Sequence, residues 1–372
     1  MSEMEIGRGK RGSRAWAFDD IAIVPSRRTR DPQDVSTAWK IDAYEFGLPV
    51  IGAPMDSVVS PDTAVAIGKL GGLGVLDLEG LWTRYEDPTK QLAEIAGLAA
   101  DEATVRMQQI YAEPIKAELI RDRIAQIRAA GVTVAGSLTP QRAAEFSDVV
   151  VKAGVDLFVI RGTTVSAEHV SKNTEPLNLK DFIYRLDVPG IVGGAATYTA
   201  ALHLMRTGAA GVLVGFGGGA ASTTRKVLGI HAPMATAVAD VAGARRDYMD
   251  ESGGRYVHVI ADGGLGTSGD IVKAIACGAD AVMLGSVLAR AEEAPGRGSH
   301  WGQEAFHAEL PRGHRVQVGT AGSLEQILLG PSNSADGTTN LMGALRRAMA
   351  TTGYSDLKEF QRVEVVAAPY NA

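Results

Sequence analysis

The sequence is poor in cysteine and in long apolar segments. Its 372 residues include one cysteine, Cys277, which excludes an intramolecular disulfide framework and a cysteine-cluster metal site. No apolar run reaches the roughly 20 residues that a membrane-spanning helix needs, and the first residues lack the hydrophobic core of a signal peptide. We therefore expect a cytoplasmic protein with no membrane partner.

An excess of basic residues is also missing. Lys and Arg number 37 against 43 Asp and Glu, which gives a formal net charge of −6, so a general nucleic-acid surface is not expected. Histidine is scarce as well, at 7 residues. Three of them, His300, His307 and His314, lie in one late segment without a His-x-x-x-His pattern or a neighbouring carboxylate cluster. We therefore expect no metal site.

Glycine, by contrast, is frequent, and the most informative glycines follow two buried strands. The apolar run Val257–Ile260 leads into Asp262, Gly263 and Gly264, and a helix is predicted from about Asp270 to Cys277. The next apolar run, Ala281–Leu284, ends at Gly285 and Ser286. Such turns present backbone N–H groups that suit a phosphate dianion. The alternative is that they are tight strand-to-helix turns without a ligand.

The alternation of apolar runs and helical patterns predicts a (β/α)8 TIM barrel. We expect a single domain, residues 1–372, with the barrel over about 16–352 and helices at about 89–99 and 113–129 on its periphery. A long insertion at about 287–338, after the eighth strand, should cover the active face. The eight predicted strands are 49–54, 74–78, 132–136, 157–160, 190–194, 211–215, 257–260 and 281–286.

Several motifs, in order along the chain, resemble the IMP dehydrogenase/GMP reductase family. They are Phe18-Asp19-Asp20, Ala53-Pro54-Met55-Asp56-Ser57, Gly71-Gly72-Leu73-Gly74-Val75, Ala261 to Asp270, and Met283-Leu284-Gly285-Ser286 with Glu292 to Gly296. The resemblance implies a (β/α)8 barrel, a purine nucleoside 5′-monophosphate ligand (IMP, XMP or GMP), NAD or NADP as cofactor, and a homotetramer or octamer. Residues 80–112 are too few for the CBS module that many members insert after strand two.

The resemblance also assigns site residues. Asp262 would hold the ribose hydroxyls, with capping of the glycine turn as the alternative role. The residues placed beside the purine or the phosphate are Ala53, Met55, Gly219, Gly263, Gly264, Gly285 and Ser286.

The residues that carry the family's chemistry are the ones that differ. Ser222 stands at the position of the catalytic cysteine, with Thr224 following, and a hydroxyl needs an adjacent base to act as a nucleophile. Cys277 does not replace it, because its Ala-Ile-Ala-Cys run is typical of core packing. Where the family has a phosphate-contacting serine, this chain has Ala220. Where the family has the Glu or Gln that orients the purine, this chain has Ala321 or Thr320.

Two further residues have open roles. Arg161 stands where the family has its dinucleotide-binding aspartate, and it could contact a phosphate or pair with an acidic neighbour. His258, in the seventh predicted strand, is either a packed and hydrogen-bonded side chain or a catalytic group. The sequence thus predicts an IMP dehydrogenase-like protein with very weak turnover, a GMP reductase-like enzyme, or a non-catalytic purine-nucleotide-binding paralogue.

Overall fold

Eight parallel strands close into a barrel in the computed structural model, which describes residues 3–172 and 177–368. Each strand pairs with the next along the chain, and β8 returns to pair with β1. The expected (β/α)8 barrel is therefore confirmed. The strands are β1 (Val50–Gly52), β2 (Leu73–Asp77), β3 (Ala135–Leu138), β4 (Leu157–Arg161), β5 (Gly190–Ala195), β6 (Gly211–Val214), β7 (His258–Asp262) and β8 (Ala281–Leu284).

Helices follow the strands and cover the outside of the barrel. The side chains between the two layers form one continuous apolar core, as expected for parallel strands that are buried on both faces. The helices are α1 (Pro61–Lys69), α2 (Thr89–Gly97), α3 (Ala100–Ile110), α4 (Ala117–Ala129), α5 (Pro140–Ala153), α6 (Leu179–Arg185), α7 (Tyr198–Arg206), α8 (Thr224–Leu228), α9 (Met234–Glu251), α10 (Ser268–Ala276), α11 (Leu324–Leu328), α12 (Leu341–Thr351) and α13 (Leu357–Phe360).

Local sequence explains where the helices begin and end. The Ser60 side chain accepts a hydrogen bond from the Thr63 amide, and Pro61 occupies the first turn of α1. Thr267 caps α10 in the same way, so this helix begins just after the glycine turn that follows β7. Gly154 ends α5 in the left-handed conformation, with φ of +93°.

The segment between β2 and β3 differs from the prediction. It contains three helices, because residues 100–110, which we did not assign to a helix, form α3. Its position also differs, because the segment is not peripheral. Together with the residues after β8 it forms a second apolar cluster around Met107, Tyr111 and Trp301. The two segments therefore fold as one layer beside the active face.

The chain after β8 covers the C-terminal end of the barrel, as expected. The short strands Ser299–His300 and Val316–Gln317 pair there, and a 3₁₀ turn, Gln303–Phe306, lies between them. The packed unit continues beyond residue 352, because Leu357 and Phe360 of α13 are buried. The strand Val365–Ala367 then pairs with Ile21–Ile23.

The opposite end of the barrel is closed by a hairpin. Strands Trp39–Ile41 and Tyr44–Phe46 pair there, and the fully buried Ile41 lies next to Gly211 at the start of β6. Asp280, just before β8, lies at the same end and binds Arg245 at 2.8 Å and the Tyr256 hydroxyl at 2.8 Å. The end opposite the active face is thus occupied by packing and by a buried ion pair.

Candidate active site

A cavity of about 230 Å³ opens at the C-terminal face of the barrel. The strand ends of β1, β4, β6, β7 and β8 contribute to its walls, and the chain after β8 covers part of it. This is the face on which barrel enzymes carry their sites. Its walls include Ala53, Met55, Arg161, Thr163, Phe216, Gly219, Ser222, Asp262, Gly263, Gly264, Met283, Gly285, Ser286, His300, Gly302 and Glu304.

Two glycine turns meet at one side of this cavity. A Cβ atom on Gly218 would lie 3.4 Å from the Gly264 nitrogen, so the two turns are in van der Waals contact. Gly263 and Gly264 have φ of +108° and +69°, values that glycine adopts without strain. The N–H groups of Gly219, Gly264, Gly285 and Ser286 bind no acceptor within the described ranges. Free N–H groups converging from three loops are the donors that an anion requires.

Asp262 and Arg161 form an ion pair across the mouth of the barrel. Asp262 ends β7, Arg161 ends β4, and the Arg161 Nε donates to Oδ2 of Asp262 at 3.0 Å. Burial alone would lower the pKa of Arg161, but the carboxylates of Asp262 and Glu304 raise it, so the guanidinium stays charged. Of the two roles considered for Arg161, pairing with an acidic neighbour is the one observed. Oδ1 of Asp262 binds no donor in the part of the chain described here, and the residue lines the cavity.

Ser222 lies in the loop after β6, at the edge of the cavity. Its hydroxyl donates to Oγ1 of Thr224 at 3.2 Å, and the Thr224 amide donates back to Oγ at 3.3 Å. Within residues 3–172 and 177–368, no histidine or carboxylate hydrogen-bonds to this hydroxyl. The side chain therefore has no base beside it.

The chain after β8 holds the Ser222 loop from above. Ser222 and Gly313 form an antiparallel bridge, and the Thr223 amide donates to the carbonyl of Arg312 at 2.7 Å. On the other side of the cavity, the Thr163 hydroxyl donates to Glu304 at 3.0 Å. The covering segment thus contacts both the β6 loop and the β4 loop.

Two buried carboxyl groups fix the covering segment to the barrel. Gln303 donates to both oxygens of Asp77, at 2.9 and 3.1 Å. The Trp301 indole N–H donates to the Tyr111 hydroxyl at 2.8 Å, and that hydroxyl donates to Asp56 at 2.7 Å. Burial raises the pKa of Asp56 to about 6, and burial with the charges of Asp56 and Glu79 raises the pKa of Asp77 well above its ordinary value.

The structure brings together nearly all the residues that the sequence singled out. The residues predicted for the site that do not line the cavity are Thr224, which is fully buried behind Ser222, and the two alternatives Thr320 and Ala321. Three polar side chains of the cavity were not predicted to lie there, namely Thr163, His300 and Glu304. Only residues at strand ends next to glycines can be recognised from a local sequence pattern. His300 and Glu304 belong to the long segment after β8, and they reach the cavity only because that segment covers it.

Cys277 and His258 lie away from the cavity. Cys277 is at the C-terminal end of α10, and burial raises the pKa of its thiol to about 11. His258 is packed between Trp39 and Tyr256 at the start of β7, on the opposite end of the barrel. The expectation that it is hydrogen-bonded was wrong for Nδ1, which has no partner and lies 3.8 Å from Asp280.

The residues after β4 do not fit the dinucleotide that the resemblance implies. Arg161 places a half-buried guanidinium, paired with Asp262, at the strand end where the family has an aspartate. Thr163, two residues on, is already bonded to Glu304. The carboxylates of Asp262 and Glu304 offset the charge of the guanidinium, so the misfit is the loss of the free carboxylate that the family presents at this strand end.

Among residues 3–172 and 177–368 there is no group of three or more His, Cys, Asp or Glu side chains that could hold a metal ion. Over the same ranges, none of the helices combines the length and the apolar character required to cross a bilayer.

A closed barrel of eight parallel strands with a cavity at their C-terminal ends defines the class of TIM-barrel proteins, which carry their sites at that face. Residues 15–308 match the family model described as IMP dehydrogenase / GMP reductase domain. The chain therefore belongs to the IMP dehydrogenase/GMP reductase family of oxidoreductases.

Relatives in other organisms agree with this assignment. An uncharacterized oxidoreductase of Mycolicibacterium smegmatis is 54% identical over 97% of this chain and 98% of its own. An inosine-5′-monophosphate dehydrogenase of Methanocaldococcus jannaschii is 27% identical, over 76% of this chain and 73% of its own. The crystal structure of an IMP dehydrogenase/GMP reductase-like protein from Corynebacterium glutamicum superposes with a TM-score of 0.94 at 51% identity, covering 98% of this chain and 97% of that one.

Proposed function

We propose that this protein binds a purine nucleoside 5′-monophosphate, IMP or GMP, at the C-terminal face of the barrel. The phosphate lies against the N–H groups of Gly264, Gly285 and Ser286, and the ribose hydroxyls bind Asp262. The base extends towards Met55 and the covering segment. The observation that carries the proposal is the set of convergent backbone N–H groups without acceptors beside a carboxylate that keeps one oxygen free.

The ion pair with Arg161 suits this role. Because Arg161 uses only Nε on Oδ2, it holds the carboxylate in place and leaves Oδ1 for the ribose. A carboxylate accepts hydrogen bonds from hydroxyls more strongly than a neutral acceptor does. Arg161 is therefore a residue that positions Asp262, and not a dinucleotide ligand.

We further propose that oxidation of IMP to XMP with NAD, or reduction of GMP with NADPH, is very weak or undetectable. Covalent chemistry at carbon 2 of the purine needs a nucleophile that is reactive near neutral pH. The Ser222 hydroxyl has only Thr224 as a side-chain partner, and a hydroxyl cannot relieve it of its proton. Each 1.36 kcal/mol added to the barrier costs about tenfold in rate.

The experiment is a panel of IMP, XMP, GMP and AMP in a thermal shift assay, with NAD(H) and NADP(H) turnover measured in parallel. A ligand that binds only the folded state raises its stability by RT ln(1 + [L]/Kd), about 2.7 kcal/mol at 100 Kd. We expect a concentration-dependent shift with IMP or GMP and little turnover. Efficient NAD-dependent oxidation of IMP would contradict the second part alone, and no shift with any nucleotide would contradict the first.

The second candidate is a purine-nucleotide-binding protein without catalysis, in which the bound nucleotide acts as a signal. The observation in its favour is the combination of an intact phosphate and ribose side with Ser222 and Arg161 on the chemical side. We also propose a homotetramer or octamer, as the family resemblance implies. Light scattering of the purified protein with and without IMP measures the assembly state and its dependence on ligand.

A further inference from the structure

His300 is a cavity residue that neither the motifs nor the proposed chemistry uses. Its side chain is 2% exposed, and it borders the cavity beside Met55 and Gly285. A Cβ atom on Gly285 would lie 3.2 Å from Cε1 and 3.4 Å from Nε2 of the ring, so this glycine leaves the space that the imidazole occupies. A buried polar side chain in such a place is expected to have a partner for each of its nitrogens.

One nitrogen of the ring is already bonded, and its partner determines where the proton lies. Nδ1 of His300 is 3.1 Å from Oγ of Ser57. Ser57 has one hydroxyl proton, and it donates this proton to the carbonyl of Trp301 at 3.0 Å. Within the described residues, this is the only hydrogen bond that the Trp301 carbonyl accepts. Ser57 therefore has only lone pairs to offer His300, so Nδ1 must carry the proton and donate it.

The other nitrogen is then a bare acceptor. Burial, together with the neighbouring positive charge of Arg161, lowers the pKa of His300 to about 4, so the ring is neutral near pH 7. A neutral imidazole with its proton on Nδ1 has a lone pair on Nε2. In the described part of the chain Nε2 has no hydrogen-bond donor, and the residue faces the cavity.

The family's own means of orienting the base is missing from this chain. The Glu or Gln that has that role by resemblance is replaced by Ala321 or Thr320, and neither residue lines the cavity. The loops of the phosphate side offer N–H donors, and Arg161 adds a cation. His300 instead offers a neutral side-chain acceptor beside Met55, where the resemblance places the purine.

We propose that Nε2 of His300 accepts a hydrogen bond from an N–H group of the bound nucleobase and so selects bases that carry one. This inference rests on the proposed nucleotide binding and adds the base specificity to it. The ligand class is a purine nucleotide with an amino group or a lactam N–H on the edge that reaches His300. A base without any N–H leaves the buried acceptor unpaired, and this loss favours the donor-bearing base.

The tautomer is measured first, in the free protein. Two-dimensional ¹⁵N NMR of histidine-labelled protein distinguishes a protonated Nδ1 from a protonated Nε2 by their chemical shifts. We expect one buried imidazole that is neutral at pH 7 with its proton on Nδ1, and that disappears from the spectrum of His300→Phe. A proton on Nε2 of His300 would overturn the proposal before any ligand is added.

Binding is measured next with purine riboside 5′-monophosphate, whose base has no N–H, against AMP, IMP and GMP, whose bases each have at least one. Calorimetry on the wild type should give at least one donor-bearing nucleotide a Kd about tenfold lower than that of the donor-free one. In His300→Phe this ratio should fall to near one. The control is His314→Phe, an exposed histidine of the same segment, which should keep the ratio.

A second variant covers the case in which His300→Phe does not fold. In His300→Asn the amide nitrogen can still donate to Ser57, while the atom facing the cavity is removed, and the same fall in the ratio is expected. If the nucleotides bind and the ratio is unchanged in these variants, the role of His300 is wrong and the proposed function stands. If none of the four nucleotides binds the wild type, the proposed function fails and this inference fails with it.

Discussion

At the scale of single residues, the Asp262 carboxylate is the group on which nucleotide affinity should depend most. We expect Asp262→Ala to weaken IMP and GMP binding by about 1.5–3 kcal/mol, the range for hydrogen bonds to a charged group, or roughly 10- to 150-fold in Kd. Calorimetry measures the change. Asp148→Ala is the control, because that carboxylate is 87% exposed on α5. An unchanged Kd in Asp262→Ala would place the ribose elsewhere.

Ser222 is the second residue with a direct test. A thiol ionises near neutral pH and a hydroxyl does not, so Ser222→Cys supplies the nucleophile that the family uses. We still expect NAD-dependent IMP oxidation to stay close to background, because Arg161 remains at the end of β4, where the family has its dinucleotide-binding aspartate. NADH absorbance measures the rate. The double variant Ser222→Cys/Arg161→Asp should be faster than either single variant, and rapid turnover by Ser222→Cys alone would contradict our account of Arg161.

The residue scale also shows where a sequence stops being informative. Asp262 could be singled out because it follows a buried strand and precedes two glycines, and both signals are local. The ion pair of Asp262 with Arg161 could not be predicted in this way, since the two residues are 101 positions apart. They meet only because β4 and β7 both end at the C-terminal face of the barrel. His300 was set aside for a similar reason, because its hydrogen bond to Ser57 spans 243 positions.

At the scale of elements, the segment that covers the cavity depends on buried hydrogen bonds to the barrel. Gln303 donates to Asp77, and Trp301 connects through Tyr111 to Asp56. Residues 80–111 supply the apolar side of this contact, including the stacked rings of Tyr111 and Phe306 with centroids 3.4 Å apart. The cover is therefore held at its inner edge and not by its exposed loops.

We expect Gln303→Ala to loosen this cover without unfolding the barrel. Loss of the amide leaves Oδ2 of the buried Asp77 without a donor, while Oδ1 keeps the Glu79 amide. An unpaired buried oxygen costs about 1–3 kcal/mol, so amide hydrogen exchange in residues 299–317 should become about tenfold faster or more. Mass spectrometry of deuterated peptides measures it. Gln108→Ala is the matched control, since that glutamine donates to the carbonyl of His307 from the exposed side. Equal exchange in both variants would remove Asp77 as a fixing point.

Prediction of elements succeeded where burial leaves a continuous apolar run. All eight barrel strands could be found in this way, because parallel strands buried on both faces contain few polar residues. Helix α3 was missed because Ala99, which precedes it, makes no side-chain cap, and because its buried residues face a small local cluster and not the main core. The contact of that cluster with the chain after β8 is tertiary and has no signature within either segment.

At the scale of the whole molecule, the two ends of the barrel have different roles. The cavity, the glycine turns and the ion pair of Asp262 with Arg161 lie at the C-terminal ends of the strands. Asp280, Arg245 and His258 lie at the opposite end. In barrel proteins the first end carries the chemistry and the second the stability. Changes in acidity should therefore affect stability in part through groups that are remote from the proposed ligand, His258 above all.

His258 should make the protein less stable in mild acid. Burial lowers its pKa from 6.5 to about 4, against the smaller opposing effect of Asp280. At pH 5 the unfolded chain binds a proton there and the folded chain does not, so stability falls as the pH drops from about 6.5 towards 4. The loss between pH 7 and pH 5 is about 2 kcal/mol for this group, or a few degrees in Tm for a chain of this size.

His300 acts in the same direction, because burial also lowers its pKa to about 4. Asp56 acts in the opposite one: its pKa is raised to about 6, so the folded state holds a proton at pH 5 that the unfolded state releases. Asp280, with a pKa of about 2, does not change its charge over this range.

We therefore expect His258→Gln to reduce the stability difference between pH 7 and pH 5, and Asp56→Asn to increase it. Denaturant unfolding at the two pH values measures the difference, with His203→Gln, an exposed histidine of α7, as the control. If His258→Gln keeps the wild-type difference, the acid sensitivity arises elsewhere in the fold.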